Sequence, residues 1–281
     1  MAKVYLNILA AGILLKLFRE DFLMNNIEIE MLDLLKSLKQ DYGIMGVKSD
    51  FEAEGSSFDE TFKLKEMLDK VSIDLYVKIG GCEAVNDLYY TKELGVKGII
   101  APMIESEFSA RKFLNAAKNT YENNLKDVDL FINTESKTSI LNIDDILDTV
   151  LKKVKGIVIG RVDLSSSMNL SRNQINGKDI LDACIFLSKK ALDKGLESCF
   201  GGGITFEAIP FILNMKGLVS KFESRKVIFK YDDNEKRLKE VIAKALKFEF
   251  LYLKNKEYYN TLTSIDKNRI VMAFNRIKNL D

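Results

Sequence analysis

The sequence predicts an α/β fold, a (β/α)8 barrel with an extended C-terminal helical segment, and three observations carry that prediction. Seven short apolar or β-branched runs alternate with helix-period stretches, the rhythm of a parallel sheet with helices outside it. The chain has 281 residues, a length at which closing that sheet into a barrel is the most economical arrangement. Almost every run ends in a charged residue or a glycine cluster, as barrel strands do where they open on a ligand. An open doubly wound sheet is the competitor, yet no run is followed by G-x-G-x-x-G.

In chain order the strand runs are 44–48, 73–79, 98–101, 128–132, 156–159, 196–200 and 218–222, each bounded by turns that contain Gly, Ser or acidic residues. The eighth strand is the weakest element and falls either at 4–8 or at 226–231. Helical patterns occupy 83–94, 107–121, 143–154, 177–194 and 206–215 between the strands. From Glu235 onward the chain is helical and apolar-periodic, longer than barrel closure requires. With Pro102 and Pro210 the only prolines and no Ser/Gly-rich linker, composition marks no domain boundary. The expected organisation is a barrel with an N-terminal helical region over 1–234, then a helical extension over 235–281 packed on the barrel or on a neighbouring subunit. A homo-oligomer follows from the apolar excess of that extension.

Composition excludes several chemistries. Lys and Arg number 42 against 41 Asp and Glu, so no basic excess exists to neutralise a phosphate backbone. Histidine is absent, which removes the Ser-His-Asp triad, the Cys-His pair, the H-E-x-x-H zinc site and any imidazole base. Cys82, Cys184 and Cys199 are too few and too scattered for a disulfide framework or a CxxC site, and read as small apolar residues of a reduced, cytoplasmic chain. The apolar stretch 8–15 is followed by Lys16, Arg19, Glu20 and Asp21 without a small-residue cleavage site, so it reads as a buried or amphipathic helix. No run approaches the roughly 18 uninterrupted apolar residues of a membrane span. Neither a nucleic acid nor a membrane is an expected partner.

Reactive residues of a barrel come from the C-terminal ends of strands and the loops that follow. That rule selects Asp50, Glu52 and Glu54 in SDFEAEG, Lys78 with Gly80 and Gly81 in VKIGG, Glu105 in APMIES, Glu135 in INTES, and Arg161 and Asp163 in GRVDLSSS. Gly201, Gly202 and Gly203 in CFGGG, and Glu223 and Arg225 in KFESR, complete the ring. Without His or paired Cys, a metal here takes oxygen ligands, which selects Mg²⁺, Mn²⁺ or Co²⁺ over structural zinc. Glu135 and Asp163 end successive strands and can share one ion; taken singly, each reads as a helix cap or the partner of a nearby Lys. Lys78 ends an apolar strand where an unpaired ammonium is costly, so it needs an anionic partner. A substrate carboxylate or enolate and a structural ion pair with Glu105 or Glu54 weigh about evenly. The triple glycine before a helix beginning near Thr205 suits a carboxylate or phosphate, though a tight turn explains the glycines equally well.

In the order VKIGGCEAVNDLYYTKELGVKGIIAPMIES, INTES, GIVIGRVDLSSSM, these segments resemble the HpcH/HpaI aldolase and citrate lyase β-subunit family of the phosphoenolpyruvate/pyruvate-barrel superfamily. The resemblance spans about residues 44–230 and is strongest where Gly160, Asp163 and Leu164 match the family's G-x-x-D-L motif. It implies a (β/α)8 barrel that binds Mg²⁺ or Mn²⁺ and makes or breaks a carbon-carbon bond next to a 2-oxo acid or thioester. It also implies that Glu135 and Asp163 hold the metal and that Lys78 stands where the family has a substrate-binding arginine. Lys is a point charge without the bidentate guanidinium fork. The family's histidine base in an E-H-G motif has no counterpart: the nearest segment is FEAEG, whose Glu52 or Glu54 would replace it as acid-base group.

The expected function is therefore a metal-dependent carbon-carbon lyase or aldolase acting on a small 2-oxo acid or related hydroxy acid through a metal-stabilised enolate. In that reading Lys78, Glu52 and Glu54 are catalytic. Gly80, Gly81, Arg161, Gly201, Gly202, Gly203 and Arg225 bind substrate, with Arg161 and Arg225 on a distal carboxylate or phosphate. Two alternatives stay open: a citrate-lyase-like thioester lyase, for which no carrier or coenzyme motif is evident, and a non-catalytic ligand-binding barrel that lost the histidine base.

Overall fold

The computed structural model describes residues 24–278. The expectations for 4–8 and 8–15 lie outside them. Chain order is α1 (Asn26–Tyr42), β1 (Gly46–Asp50), α2 (Phe58–Lys70), β2 (Leu75–Lys78), α3 (Val85–Leu94), β3 (Gly98–Ala101), α4 (Glu107–Tyr121) and β4 (Asp129–Thr134). There follow α5 (Lys137–Leu141), α6 (Ile143–Val150), β5 (Gly156–Gly160), α7 (Arg161–Ser167), α8 (Lys178–Asp193) and β6 (Glu197–Gly201). The remainder is α9 (Ile209–Asn214), β7 (Lys221–Glu223), β8 (Val227–Lys230), α10 (Glu235–Tyr258) and α11 (Ser264–Lys278).

The strands close into one barrel in the order β1 to β8. The expected barrel is present, and of the two sites for its eighth strand the chain uses 227–230. That strand departs from the (β/α)8 plan, since β8 runs antiparallel to both neighbours, β7 and β1. The physical reason is the connection. Arg225 and Lys226 form a two-residue loop closed by Ser224 N–H to Val227 O at 2.9 Å and by Val227 N–H to Ser224 Oγ at 3.0 Å, and a loop that short can join only antiparallel strands.

Helix starts follow the local sequence. Asn25, Ser57, Ser106 and Ser136 cap α1, α2, α4 and α5 through side-chain oxygens that accept amide protons of the first turn. The expected helix at 143–154 stops at Val150, because Leu151 is extended and Lys152 turns into the left-handed region at φ 62°. The helix expected over 206–215 is a short 3-10 turn at Phe206–Ala208 leading into α9.

Strand periodicity sorts the side chains into two cores. Val47, Leu75, Val77, Ile99, Leu130, Ile157 and Phe222 pack outward in the large cluster under the helices. Tyr76, Ile100, Phe131, Val158, Cys199 and Ile228 form a separate cluster that fills the barrel interior. The same alternation turns Lys48 and Asp50 of β1 inward with Tyr76 and Lys78 of β2, so the interior changes from apolar to charged towards the strand ends. The C-terminal extension folds back on its own chain. Helix α10 packs on α1, with Tyr259 Oη donating to Glu28 Oε1 at 3.0 Å and Asn25 Nδ2 to Asn255 Oδ1 at 2.9 Å. Helix α11 then returns to the mouth, where Arg269 donates to Ala53 O.

Candidate active site

The strand ends surround a cavity of about 210 Å³. Its inner wall holds Lys48, Asp50, Lys78, Asn133, Glu135, Asp163 and Glu223, and its outer wall Arg172, Arg225, Glu249, Arg269 and Arg276. Lys78, Glu135, Asp163, Gly201, Gly202, Gly203 and Arg225 thus meet as the sequence suggested.

Glu135 is the centre of the inner wall. Its Oε1 accepts the Met103 N–H at 3.0 Å and lies 3.6 Å from Lys78 Nζ, while Oε2 accepts Asn133 Nδ2 at 2.8 Å. Of the partners weighed for Lys78, neither Glu105 nor Glu54 is the one it has. Burial pushes the Glu135 carboxyl above its ordinary pKa, and Asp163 adds to the rise; Lys78 and the two hydrogen bonds oppose it. Gly160 makes this placement sterically possible, because a Cβ there would stand 2.4 Å from Glu135 Oε2 and 2.9 Å from Glu135 Cβ. Asp163 projects from the first turn of α7 into the same cavity. Lys48 and Glu223 form a second buried ion pair across the mouth. Burial lowers the affinity of the Lys48 ammonium for its proton, but Glu223, Asp50 and Glu54 outweigh it and the net shift is upward.

The donor set suits a hard divalent ion. Among the described residues no three His, Cys, Asp or Glu side chains cluster as a metal site. Glu135 and Asp163 nevertheless face one cavity, and the buried Oδ1 of Asn133, whose Nδ2 donates to Glu135, has no hydrogen-bond partner among the described residues. An all-oxygen set with few protein ligands fits Mg²⁺ or Mn²⁺, which keep several positions for water and substrate.

Several sequence expectations are corrected by this geometry. Glu54 is 4% exposed, lies outside the cavity, and is the ion-pair partner of buried Lys226, with Arg225 Nη1 at 3.7 Å. Gly80 and Gly81 do not line the cavity either, and the Gly80 N–H is taken by Asp87 Oδ2 at 2.7 Å. Arg161 is wholly buried: it donates to Gly201 O at 3.3 Å, to Asn176 Oδ1 at 2.9 Å and to Gly202 O, and lies 4.2 Å from the Phe211 ring. Desolvation pulls its pKa down to about 10. It therefore holds the Gly201–Gly203 loop in place and does not reach a ligand. Glu52 is exposed in the loop after β1 and does not line the cavity; its pKa is raised by burial and by Asp50, Asp163 and Asp87 against the pull of Lys78.

Lys48, Asn133, Arg172, Glu249, Arg269 and Arg276 were not among the expected site residues. Only Lys48 left a usable signal, as it sits two residues before Asp50 on a strand and must share its face. Cys184 and Cys199 are buried as expected of apolar residues, and desolvation pushes Cys184 up to about 12, whereas Cys82 is only half-buried.

The model of the HpcH/HpaI aldolase/citrate lyase family matches residues 76–199. No curated protein matches the sequence. Among solved structures, the HpcH/HpaI aldolase from Desulfitobacterium hafniense DCB-2 superposes with a TM-score of 0.57 at 14% identity, covering 86% of this chain and 92% of that one. Citrate synthase SbnG superposes with a TM-score of 0.54 at 16% identity, covering 79% and 86%. An HpcH/HpaI aldolase/citrate lyase family protein from Burkholderia cenocepacia J2315 gives 0.55 at 15% identity, covering 69% and 83%. At these identities the superpositions establish the shared barrel.

Proposed function

Residues 76–199 match the HpcH/HpaI aldolase/citrate lyase family, and from that likeness we propose that the chain is a divalent-metal-dependent carbon-carbon lyase of the aldolase type. Its substrate in this reading is a small 2-oxo acid or related hydroxy acid. One observation carries the reading: Lys78, Glu135 and Asp163 converge on a single cavity at the strand ends, where oxygen donors and an ammonium face the same small volume.

Glu135 and Asp163 would hold the ion, Mg²⁺ or Mn²⁺. Bound there, it would withdraw electron density from the substrate carboxylate and 2-oxo oxygen. Lys78 would place a buried, fixed ammonium beside the oxygen that gains negative charge when the adjacent carbon-carbon bond breaks. Asn133 and the Met103 amide orient Glu135 so that both of its oxygens keep one position. In this reading Glu52 is the proton carrier: it would take the proton of the substrate hydroxyl that becomes a carbonyl as the carbon-carbon bond breaks, the electron pair of that bond passing to the enolate, and burial raises its affinity for that proton. The Lys48–Glu223 pair lines the same cavity and holds its own charges balanced.

Incubation with pyruvate in D₂O tests this. Mn²⁺-dependent exchange of the methyl protons, lost in Glu135→Gln, is the expected outcome. Absence of exchange across several 2-oxo acids, with Mn²⁺ bound, refutes it in favour of a ligand-binding barrel.

A further inference from the structure

The outer wall of the cavity is positively charged in a way the proposed chemistry does not use. Arg225 reaches it from the β7–β8 hairpin, Arg276 from α11 and Arg172 from the loop after α7. Arg225 Nε lies 3.3 Å from Glu249 Oε1, and Arg276 Nη1 lies 4.0 Å from Oε2 of the same buried carboxylate. Two guanidinium groups thus share the Glu249 carboxylate, and the second carboxylate that Arg225 meets, Glu54 at 3.7 Å, is itself shared with Lys226. Arg172 lines the same wall, and the charges acting on it are Arg276 and Arg225, which disfavour its own charge, with Asp163 opposing them. Three cations on one wall, two of them sharing their carboxylates with other cations and the third without one in ion-pair range among the described residues, make an arrangement that an added anion would stabilise.

We infer that Arg172, Arg225 and Arg276 form a second anion subsite, which selects substrates bearing a terminal carboxylate or phosphate at the end away from the 2-oxo group. The inference rests on the proposed function for the orientation of the substrate. The anion site itself does not depend on it. The guanidinium fork suits such groups because it donates two parallel hydrogen bonds to a carboxylate or phosphate edge. Arg172 lies within the 76–199 segment that matches the family, whereas Arg225, Arg276 and Glu249 come from the hairpin and the C-terminal helices beyond it. Those helices then do more than cover the barrel. They fix the charge of the substrate it accepts.

Calorimetry on the full chain tests this with three probes: tricarballylate and inorganic phosphate without metal, and oxalate with Mn²⁺. Oxalate has no distal group and reports on the inner wall. The wild-type chain should bind tricarballylate or phosphate without metal, and the tighter of the two identifies the preferred terminal group. Arg172→Met, at an exposed position without ion-pair partners, should weaken that binding about tenfold or more, as loss of a charge-assisted hydrogen bond does, and leave oxalate affinity within about twofold. Arg172→Lys should fall between, having charge without the fork. Failure of the wild-type chain to bind either metal-free probe, or an Arg172→Met chain that binds them as wild type does, overturns the subsite. An equal loss of oxalate affinity in Arg172→Met does so too. Binding of tricarballylate without any oxalate binding in Mn²⁺ would instead retain the subsite and remove the proposed lyase chemistry.

Discussion

Replacing Glu54 by Gln separates a structural carboxylate from a catalytic one. Lys226 is 2% exposed and its ammonium lies between the Glu54 carboxylate and the Tyr252 ring, 4.0 Å from the ring centre. Arg225 is held from the other side of the same carboxylate. Glu54→Gln leaves the shape intact and strands a buried ammonium without its counter-charge. Breaking one side of such a pair costs about 3–5 kcal/mol. In a domain of this size each kcal/mol moves the unfolding midpoint by roughly 2–4 °C, so a drop of about 6–20 °C is expected in a thermal melt followed by circular dichroism. The double variant Glu54→Leu, Lys226→Met should regain most of the loss, since two apolar side chains of similar volume no longer bury a lone charge. At temperatures where Glu54→Gln is folded it should still exchange pyruvate protons. A variant with the wild-type midpoint and no exchange would refute the argument and return Glu54 to the catalytic set.

Four other outcomes follow from the same geometry. Lys78→Met should lower turnover about 10²-fold to 10³-fold in steady-state assays, and Lys78→Arg should retain more activity than Lys78→Met; equal rates for all three would remove the oxyanion role. Mn²⁺ affinity, followed by calorimetry against pH, should fall as pH drops through a Glu135 titration lying above 4.5, because only the ionised carboxylate binds the ion. The sign for stability is opposite: a carboxyl raised by burial stabilises the metal-free fold below its unfolded pKa and loses that contribution as pH rises through its folded pKa, so Mn²⁺ should raise the melting temperature more at pH 7 than at pH 4. Gly160→Ala should weaken Mn²⁺ binding while costing about 1–3 kcal/mol in denaturant unfolding, because the added methyl must displace Glu135.

How far the sequence spoke depended on the range of the interaction involved. Strands 98–101 and 156–159 were legible because a parallel strand buried on both faces is a continuous apolar run. The apolar run 218–222 begins before its strand: Leu218 and Val219 lie ahead of β7, whose inward face is Lys221 and Glu223. The β7–β8 reversal was illegible because Arg225 and Lys226 carry none of the Gly or Asn signals of a two-residue hairpin loop. Arg161 misled for a related reason. A charged residue after a strand reads as a ligand, and nothing local reveals that the carbonyls of Gly201 and Gly202, on another strand end, surround it. Arg269 and Arg276 belong to the mouth only through the folding back of α10 and α11, which no local pattern encodes.

The reversal of β8 also bears on when the site comes into being. The pairs that close the mouth join distant parts of the chain: Lys48 with Glu223 across 175 positions, Glu54 with Lys226 across 172, and Arg269 with Ala53 across 216. At a synthesis rate of about 5–20 residues per second, β1 waits roughly 10–40 s for the hairpin that seals it. Until then its inward Lys48 and Asp50 face water with no partner strand on one edge. A nascent chain therefore passes through an open, unpaired sheet, and the ligand site is the last part of the barrel to form.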